Sequence, residues 1–336
     1  MPESYLVTGC AGFIGSRVSQ HLLDAGHTVV GLDNLNSAYD RRLKEWRLAA
    51  LAEQTRFNFH ELDIGDRAAL ERVFAEQADA ASSVPSRLSA VFNLAARAGV
   101  RSSVENPWAY YEANLIGTLN LLECCRRFAV PKLVLASSSS LYGNVNAAPY
   151  REDADTNRPL SPYAASKKAA ETLAFSYHHL HGIDVSILRY FTVYGPAGRP
   201  DMGVFRFVRH IAEGKPIVVF GDGSQQRDFI YVDDIARGTV AAAAPLGYEI
   251  INLGGDRPAT VNEVIDQISA LLGIAARVEY RSAHPADVQA TWADIGKARQ
   301  LLGWTPEVSL DEGLRRSVDW YRENRDFAVQ LTMKDR

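Results

Sequence analysis

Cysteine is scarce in this 336-residue chain, and its placement excludes more than its number does. Cys10, Cys124 and Cys125 are an odd set of three in which two are sequence neighbours. That rules against a disulfide framework and makes a reducing cytoplasm the expected setting. An excess of positive charge is also lacking: 36 basic against 40 acidic residues leave a net charge of −4. This is the wrong sign for a polyphosphate partner, so no nucleic acid is expected. No apolar run approaches the roughly 18 uninterrupted residues of a membrane span. The opening MPESYLVTGCAGFIGS lacks a charged segment followed by a long apolar one, so neither membrane nor export is expected. Repeats and low-complexity tracts are missing too. What remains, 47% hydrophobic and 23% charged, is the composition of a folded globular protein, and the length predicts about two domains.

Short apolar runs alternate with amphipathic stretches through the first two-thirds, the pattern of parallel strands linked by helices. The spacing predicts strands at Tyr5 to Thr8, Thr28 to Asp33, Asn58 to Leu62, Ala90 to Leu94, Lys132 to Ser137 and Ile183 to Arg189. Helices are expected to begin near Ile14, Ala68, Ala109 and Pro162. The fold class is therefore α/β, a Rossmann-type doubly wound parallel sheet with a smaller C-terminal substrate lobe. The stretch AEQADAASSVPSRLSA reads as a surface loop. RRLKEWRLAALAEQTR, with Arg41, Lys44 and Arg47 at helical spacing, reads as a solvated helix face. After Gly195 the texture changes: GPAGRPDMG holds three Gly and two Pro in nine residues, and short strands such as Ile217 to Phe220 mix with short helices. The expected division is residues 1–194, with a return segment near 228–252, and 195–336.

TGCAGFIGS follows the first strand directly and opens a helix, which places Gly9, Gly12 and Gly15 in a GxxGxxG arrangement. Glycine lets the loop turn tightly and the backbone approach a pyrophosphate, while the helix N-terminus offers free N–H groups. Asp33 closes the second strand at about the 20-residue offset of a carboxylate that binds an adenosine ribose. Such an Asp repels a 2′-phosphate, which favours NAD over NADP; Arg41 and Arg42 come too late to reverse this. Asp63, ending the third strand, either meets the adenine or caps a turn.

SPYAASKKAAE reads as a helix start with Ser161 as N-cap and Pro162 first. Tyr163 and Lys167 then stand one turn apart, where an ammonium stabilises a phenolate and draws a pKa of about 10 toward neutrality. ASSSSLYG ends another strand at the same sheet edge and brings hydroxyls near that tyrosine. His178, His179 and His181 have no acidic or cysteine partner at ligand spacing, so no metal is expected. Cys10 is expected to pack rather than react.

With these segments in view the chain resembles the extended short-chain dehydrogenase/reductase family, and within it the nucleotide-sugar epimerases. From about Tyr5 to Tyr321, TGCAGFIGS, LDNLN, NLAARAGVRSSVENP, ASSSSLYG, SPYAASKKAAE, LRYFTVYGPAGRPDM, GDGSQQRDFIYVDDIA and TWADIGKARQLLGW are similar to segments of UDP-glucuronate 4-epimerases. The resemblance implies that Ser138 is the catalytic hydroxyl, Tyr163 the base and acid, and that Lys167 holds the nicotinamide ribose. It implies cofactor contacts from Phe13, Ile14, Asn34, Asn36, Ile64, Leu94, Ala95, Ala96, Asn114, Tyr190 and Val193, beside the glycines, Asp33 and Asp63. For a UDP-sugar substrate it implies Arg227 at the diphosphate and Val204, Phe207, Val219 and Asp287 around the uridine. Ser139, Ser140, Thr192 and Arg199 match the set that receives a sugar carboxylate; the alternative for Arg199 is a loop arginine tied in a salt bridge. Two positions depart from the family: NLAA replaces HLAA, and His284 stands where UDP-glucose 4-epimerases carry a second diphosphate arginine, with Arg281 nearby.

The implied reaction is NAD-dependent 4-epimerisation of UDP-glucuronate through a 4-keto sugar, with NAD tightly bound. Ser139 and Ser140 stand where related dehydratases and decarboxylases carry acidic residues. A 4-keto glucuronate is a β-keto acid, so clamping its carboxylate also restrains loss of CO2. The alternatives are a UDP-glucose or UDP-N-acetylglucosamine 4-epimerase, a UDP-glucuronate decarboxylase, and a non-catalytic NAD-binding protein, which would have no need of Ser138, Tyr163 and Lys167 together. The resemblance also implies a homodimer through the helices beginning near Ala109 and Pro162.

Overall fold

Runs of Val, Ile and Leu suit strands covered on both faces, and in the computed structural model, which describes residues 2–78, 87–282 and 288–333, they build one such sheet. The chain runs through β1 (Ser4–Thr8), α1 (Phe13–Asp24), β2 (Thr28–Asp33), α2 (Arg41–Ala52), β3 (Phe57–Glu61), α3 (Arg67–Ala78) and β4 (Leu88–Asn93). It continues through α4 (Val100–Glu105), α5 (Pro107–Tyr111), a π-helical turn at Glu112–Ile116, α6 (Gly117–Arg127), β5 (Lys132–Ser138), α7 (Pro162–His181) and β6 (Asp184–Tyr190). The remainder holds β7 (Thr192–Tyr194), α8 (Gly203–Ala212), β8 (Ile217–Phe220), β9 (Gln226–Tyr231), α9 (Val232–Ala241), β10 (Tyr248–Leu253), β11 (Pro258–Thr260), α10 (Val261–Leu272), β12 (Val278–Arg281), α11 (Gly296–Leu302) and α12 (Leu310–Glu323).

Seven parallel strands pair in the order β10-β6-β5-β4-β1-β2-β3. The order reverses between β1 and β4, and ligands of such sheets collect at that crevice. Alternate residues of β1 feed separate cores: Tyr5 and Val7 join one cluster and Leu6 the other, as the two-residue period of a strand requires. A three-stranded sheet, β11-β9-β7, and a two-stranded one, β12-β8, form a second lobe with α8, α10 and α12. Tyr39 and Leu43 enter the core of that lobe from the first part of the chain.

Strand and helix boundaries fall within a residue or two of expectation, and β8 coincides with it. Three details differ from the sequence expectation. The helix expected near Ala109 begins at Pro107, because the Asn106 side chain accepts a hydrogen bond from the Ala109 amide and proline occupies the first position. The loop expected from Ala75 is helical as far as Ala78, and β4 starts at Leu88; residues 79–86 of that stretch lie outside the described residues. In α2, Arg41 is exposed, whereas Lys44 and Arg47 are buried. Only part of that charge pattern is a solvated face. No helix among the described residues is long and apolar enough to cross a membrane. All three cysteines are buried and free.

Candidate active site

The Gly-rich loop is shaped by steric need. Gly9 has φ +69°, and a Cβ there would lie 2.8 Å from the Ala95 amide nitrogen; one on Gly15 would lie 2.1 Å from the Gly9 carbonyl oxygen. Thr8 Oγ1 ties the crevice together, accepting from the amides of Leu94 and Ala95 at 3.1 and 3.0 Å and donating to Asn93 Oδ1 at 2.9 Å. The first turn of α1 carries no side-chain cap and no acidic residue, so its amides and positive dipole end remain available to an anion. Asp33 Oδ1 accepts from the Leu35 amide at 2.8 Å and from Lys44 Nζ at 3.2 Å. This cradle fits a dinucleotide: glycines where a Cβ would intrude, an open helix N-terminus, and a carboxylate at the end of β2. Asp63 accepts from Asn34 Nδ2 at 2.6 Å and from the Gly65 amide at 2.8 Å, so it forms a turn while standing in the same wall.

A single cavity of about 850 Å³ begins at this loop. Its wall contains every expected cofactor and substrate residue except Asn114, Val219 and Asp287. Asn114 is buried behind the wall, where its carboxamide accepts from the Arg97 amide at 2.8 Å and donates to the Arg97 carbonyl at 3.1 Å and to Ser166 Oγ at 2.9 Å. It holds the segment after β4 against α7. Val219 is packed into the core of the second lobe. Asp287 and His284 lie outside the described residues. Arg281, at the end of β12, is exposed with Glu279 beside it at 3.9 Å.

Ser161 caps α7 through the Ala164 amide at 3.2 Å, with Pro162 first, and this sets Tyr163 and Lys167 on the cavity wall beside Ser138 to Ser140. Burial raises the Tyr163 phenol above its ordinary value, while a hydrogen bond with Ser138 and the charge of Arg199 pull it back. Lys167 Nζ, one turn along α7 from Tyr163, donates to the Ala136 carbonyl at 2.7 Å. Burial lowers the ammonium itself to about 8, against the charge of Glu171. Glu171 in turn is buried, taking both forks of Arg189 at 3.0 and 2.9 Å and the Ser137 hydroxyl at 2.6 Å. Tyr110 meets the Tyr163 ring edge-on at 6.0 Å.

Arg199 pairs with Asp201 through two hydrogen bonds, of 3.1 and 2.8 Å, and reaches the Ala98 carbonyl at 3.4 Å. The salt-bridge alternative is thus present, on a residue that also lines the cavity. Sequence reading missed Tyr39, Lys44 and Arg47. The available signal was that Arg47 falls midway between Leu43 and Leu51 at helical spacing, on the buried seam of α2. Among the described residues no group of three or more His, Cys, Asp or Glu is arranged to hold a metal ion. Cys10 is packed in the core, and burial pushes its thiol well above the ordinary value.

Residues 5–254 match the NAD dependent epimerase/dehydratase family. The chain belongs to that family. It is 56% identical over 328 residues to a UDP-glucuronate 4-epimerase of Thermodesulfobacterium geofontis, covering 97% of this chain and 98% of that one. Among solved structures of the epimerase family, a Bacillus cereus UDP-glucuronic acid 4-epimerase in complex with UDP-glucuronic acid and NAD is 38% identical, with a TM-score of 0.86 over 95% of this chain and 99% of that one. A Thermotoga maritima UDP-glucose 4-epimerase with UDP-glucose is 33% identical, with a TM-score of 0.85 over 96% and 99%.

Proposed function

We propose that this chain is an NAD-dependent UDP-glucuronate 4-epimerase that interconverts UDP-glucuronate and UDP-galacturonate. One observation carries the reading: a single cavity joins the dinucleotide cradle, the Ser138, Tyr163 and Lys167 set, and Arg199 with Thr192, Ser139 and Ser140. The likeness to the Thermodesulfobacterium and Bacillus cereus enzymes supports it.

Tyr163 accepts the proton of the sugar O4 hydroxyl and later returns it, with Ser138 orienting that exchange. NAD, when bound in this cradle, would supply the hydride acceptor and donor for C4. Gly9, Gly12 and Gly15 let the loop approach the pyrophosphate, Asp33 takes the adenosine ribose, and Lys167 takes the nicotinamide ribose. Leu94, Ala95, Ala96, Tyr190 and Val193 line the remainder. Because positions 139 and 140 are serines, no acidic side chain there protonates a leaving hydroxyl, which favours epimerisation of a 4-keto sugar over elimination. Arg199 and the hydroxyls of Thr192, Ser139 and Ser140 hold the C6 carboxylate in charge-assisted hydrogen bonds. Arg227 serves the diphosphate, and Val204 and Phe207 the uridine.

Residues 1–194, with the return segment near 228–252, form the cofactor half of this proposal, and 195–336 mainly the UDP-sugar lobe. The homodimer is proposed through the region of α5 to α7, where Trp108, Tyr111, Ile116, Phe175 and Leu180 are exposed apolar side chains.

One observation favours a second reading, epimerisation of neutral UDP-sugars: Asp201 already answers the Arg199 charge. The deciding experiment incubates the purified protein, without added NAD, with UDP-glucuronate and follows products by NMR. A galacturonate anomeric signal without UDP-pentose is expected. Pentose as main product means decarboxylation, and turnover of UDP-glucose alone moves the protein to the neutral-sugar epimerases.

A further inference from the structure

Three cations converge on one aromatic ring at the edge of the cavity. Tyr39 is buried, and its ring centroid lies 5.5 Å from Lys44 Nζ, 5.6 Å from the Arg47 guanidinium carbon and 5.2 Å from that of Arg199. All three separations are within reach of attraction between a cation and a ring face.

Arg47 fixes the ring from the side of α2. Its Nη1 donates to Tyr39 Oη at 2.8 Å and to the Ala11 carbonyl of the Gly-rich loop at 3.2 Å. Its Nε and Nη2 donate to the Ala197 carbonyl at 3.2 and 2.6 Å. Ala197 stands two residues before Arg199 and has φ +51°, a left-handed conformation that an alanine adopts at a cost. One buried guanidinium therefore joins the cofactor loop, the Tyr39 ring and the strained start of the loop that carries Arg199. This is more than packing requires, because a leucine in place of Arg47 would fill space without satisfying those carbonyls.

The charges do not cancel. Lys44 is answered by Asp33 and Arg199 by Asp201, while Asp40, next to Tyr39, is occupied by Arg42. Arg47 is held by two carbonyls and a phenol. Three cations thus face two carboxylates around the ring, and in a setting with little water the surplus positive charge favours an anionic group on the ligand. Tyr39 and Arg199 both line the cavity, so that anion can reach them.

We propose that Tyr39 is a specificity-determining positioning residue: its ring, clamped by Arg47, holds the Arg199 guanidinium ready for the C6 carboxylate of the sugar. The proposal rests on the UDP-glucuronate reading. It explains how a residue of the cofactor half can govern which sugar is selected, through ring contacts that a neutral sugar does not use.

The test measures dissociation constants of UDP-glucuronate and UDP-glucose by calorimetry on the NAD-loaded protein and on its Tyr39→Leu, Tyr39→Met and Tyr39→Phe variants, together with bound NAD. In the Leu and Met variants UDP-glucuronate is expected to lose about tenfold in affinity relative to UDP-glucose, the effect of losing one desolvated cation–ring contact, with both constants measured on protein whose bound NAD has been quantified. Tyr39→Phe, which keeps the ring face, retains most of the preference. Should the Leu variant not fold, Met gives the same comparison with the volume refilled. Equal weakening of both nucleotides, or a preference for UDP-glucuronate that survives loss of the ring, overturns the proposal while the UDP-glucuronate reading stands. A wild-type protein that does not prefer UDP-glucuronate brings down both.

Discussion

Lys44 Nζ lies 3.2 Å from Asp33 Oδ1, with both side chains almost fully buried. The carboxylate proposed to receive the adenosine ribose is therefore held by a cation from α2. Removing Asp33 takes away the carboxylate partner of that ammonium, and a 2′-phosphate would answer its charge. Asp33→Ser is expected to weaken NAD binding about tenfold to hundredfold, the size of a hydrogen bond to a charged group, and to improve NADP binding relative to NAD. Cofactor titrations of the two proteins check this; an unchanged ratio of the two affinities sinks it.

Tyr163→Phe keeps the ring against Tyr110 and removes the hydroxyl that exchanges the proton. Turnover is expected to fall about a hundredfold to ten-thousandfold, with the fold and bound NAD retained. Rate assays, circular dichroism and NAD released on denaturation check the three parts. Substantial remaining activity would remove Tyr163 from the mechanism.

Arg199→Ala removes the guanidinium that pairs with Asp201 and would take the sugar carboxylate. The variant is expected to raise KM for UDP-glucuronate and to increase the share of UDP-pentose among products, since a freer carboxylate aligns more often with the C4 carbonyl. NMR product analysis reads both. Unchanged rates and products would make Arg199 a purely structural ion pair.

Lys167, lowered by burial to about 8, loses its proton as pH rises through that value, so its charged form dominates below it. Activity that depends on the ammonium is expected to descend above about pH 8. Because the charge of Glu171 holds the lysine up, Glu171→Gln should move the descending limb to lower pH. Lys167→Arg should move it to higher pH. A limb at one position in all three proteins argues that another group titrates there.

Glu171 and Arg189 form an ion pair with both side chains about 2% exposed. Glu171→Ala strands the guanidinium in the core and also frees the Ser137 hydroxyl. A loss of about 3–5 kcal/mol is expected, readable by urea unfolding with NAD removed from both proteins. A loss below about 1 kcal/mol, the scale of an exposed pair, would contradict it.

Much of the site was legible in the chain because its signals are local. The GxxGxxG loop, Asp33 at the end of the next strand, and Tyr163 and Lys167 one turn apart behind a Ser161-Pro162 cap each sit within a single strand, loop or helix start. There, residue type and spacing dictate geometry. The ASSSSLYG hydroxyls were placed at the sheet edge by the strand they end, while the individual roles of Ser138 to Ser140 and of Arg199 came from resemblance; the structure brings these residues into one cavity with the others.

The sequence by itself determined these local devices, the alternation of strands and helices, and so the α/β class. The return of the chain near 228–252 was also expected, and Tyr248–Leu253 supplies an edge strand of the main sheet; tertiary structure alone decided the strand order and the surroundings of the charges on α2. Arg41, Lys44 and Arg47 look alike at helical spacing. Whether each meets water or protein depends on what folds against that helix, and the partner of Arg47 is the Ala197 carbonyl, 150 residues away. A buried cation is stable only where distant groups replace its water, so its role belongs to the fold rather than to the local sequence.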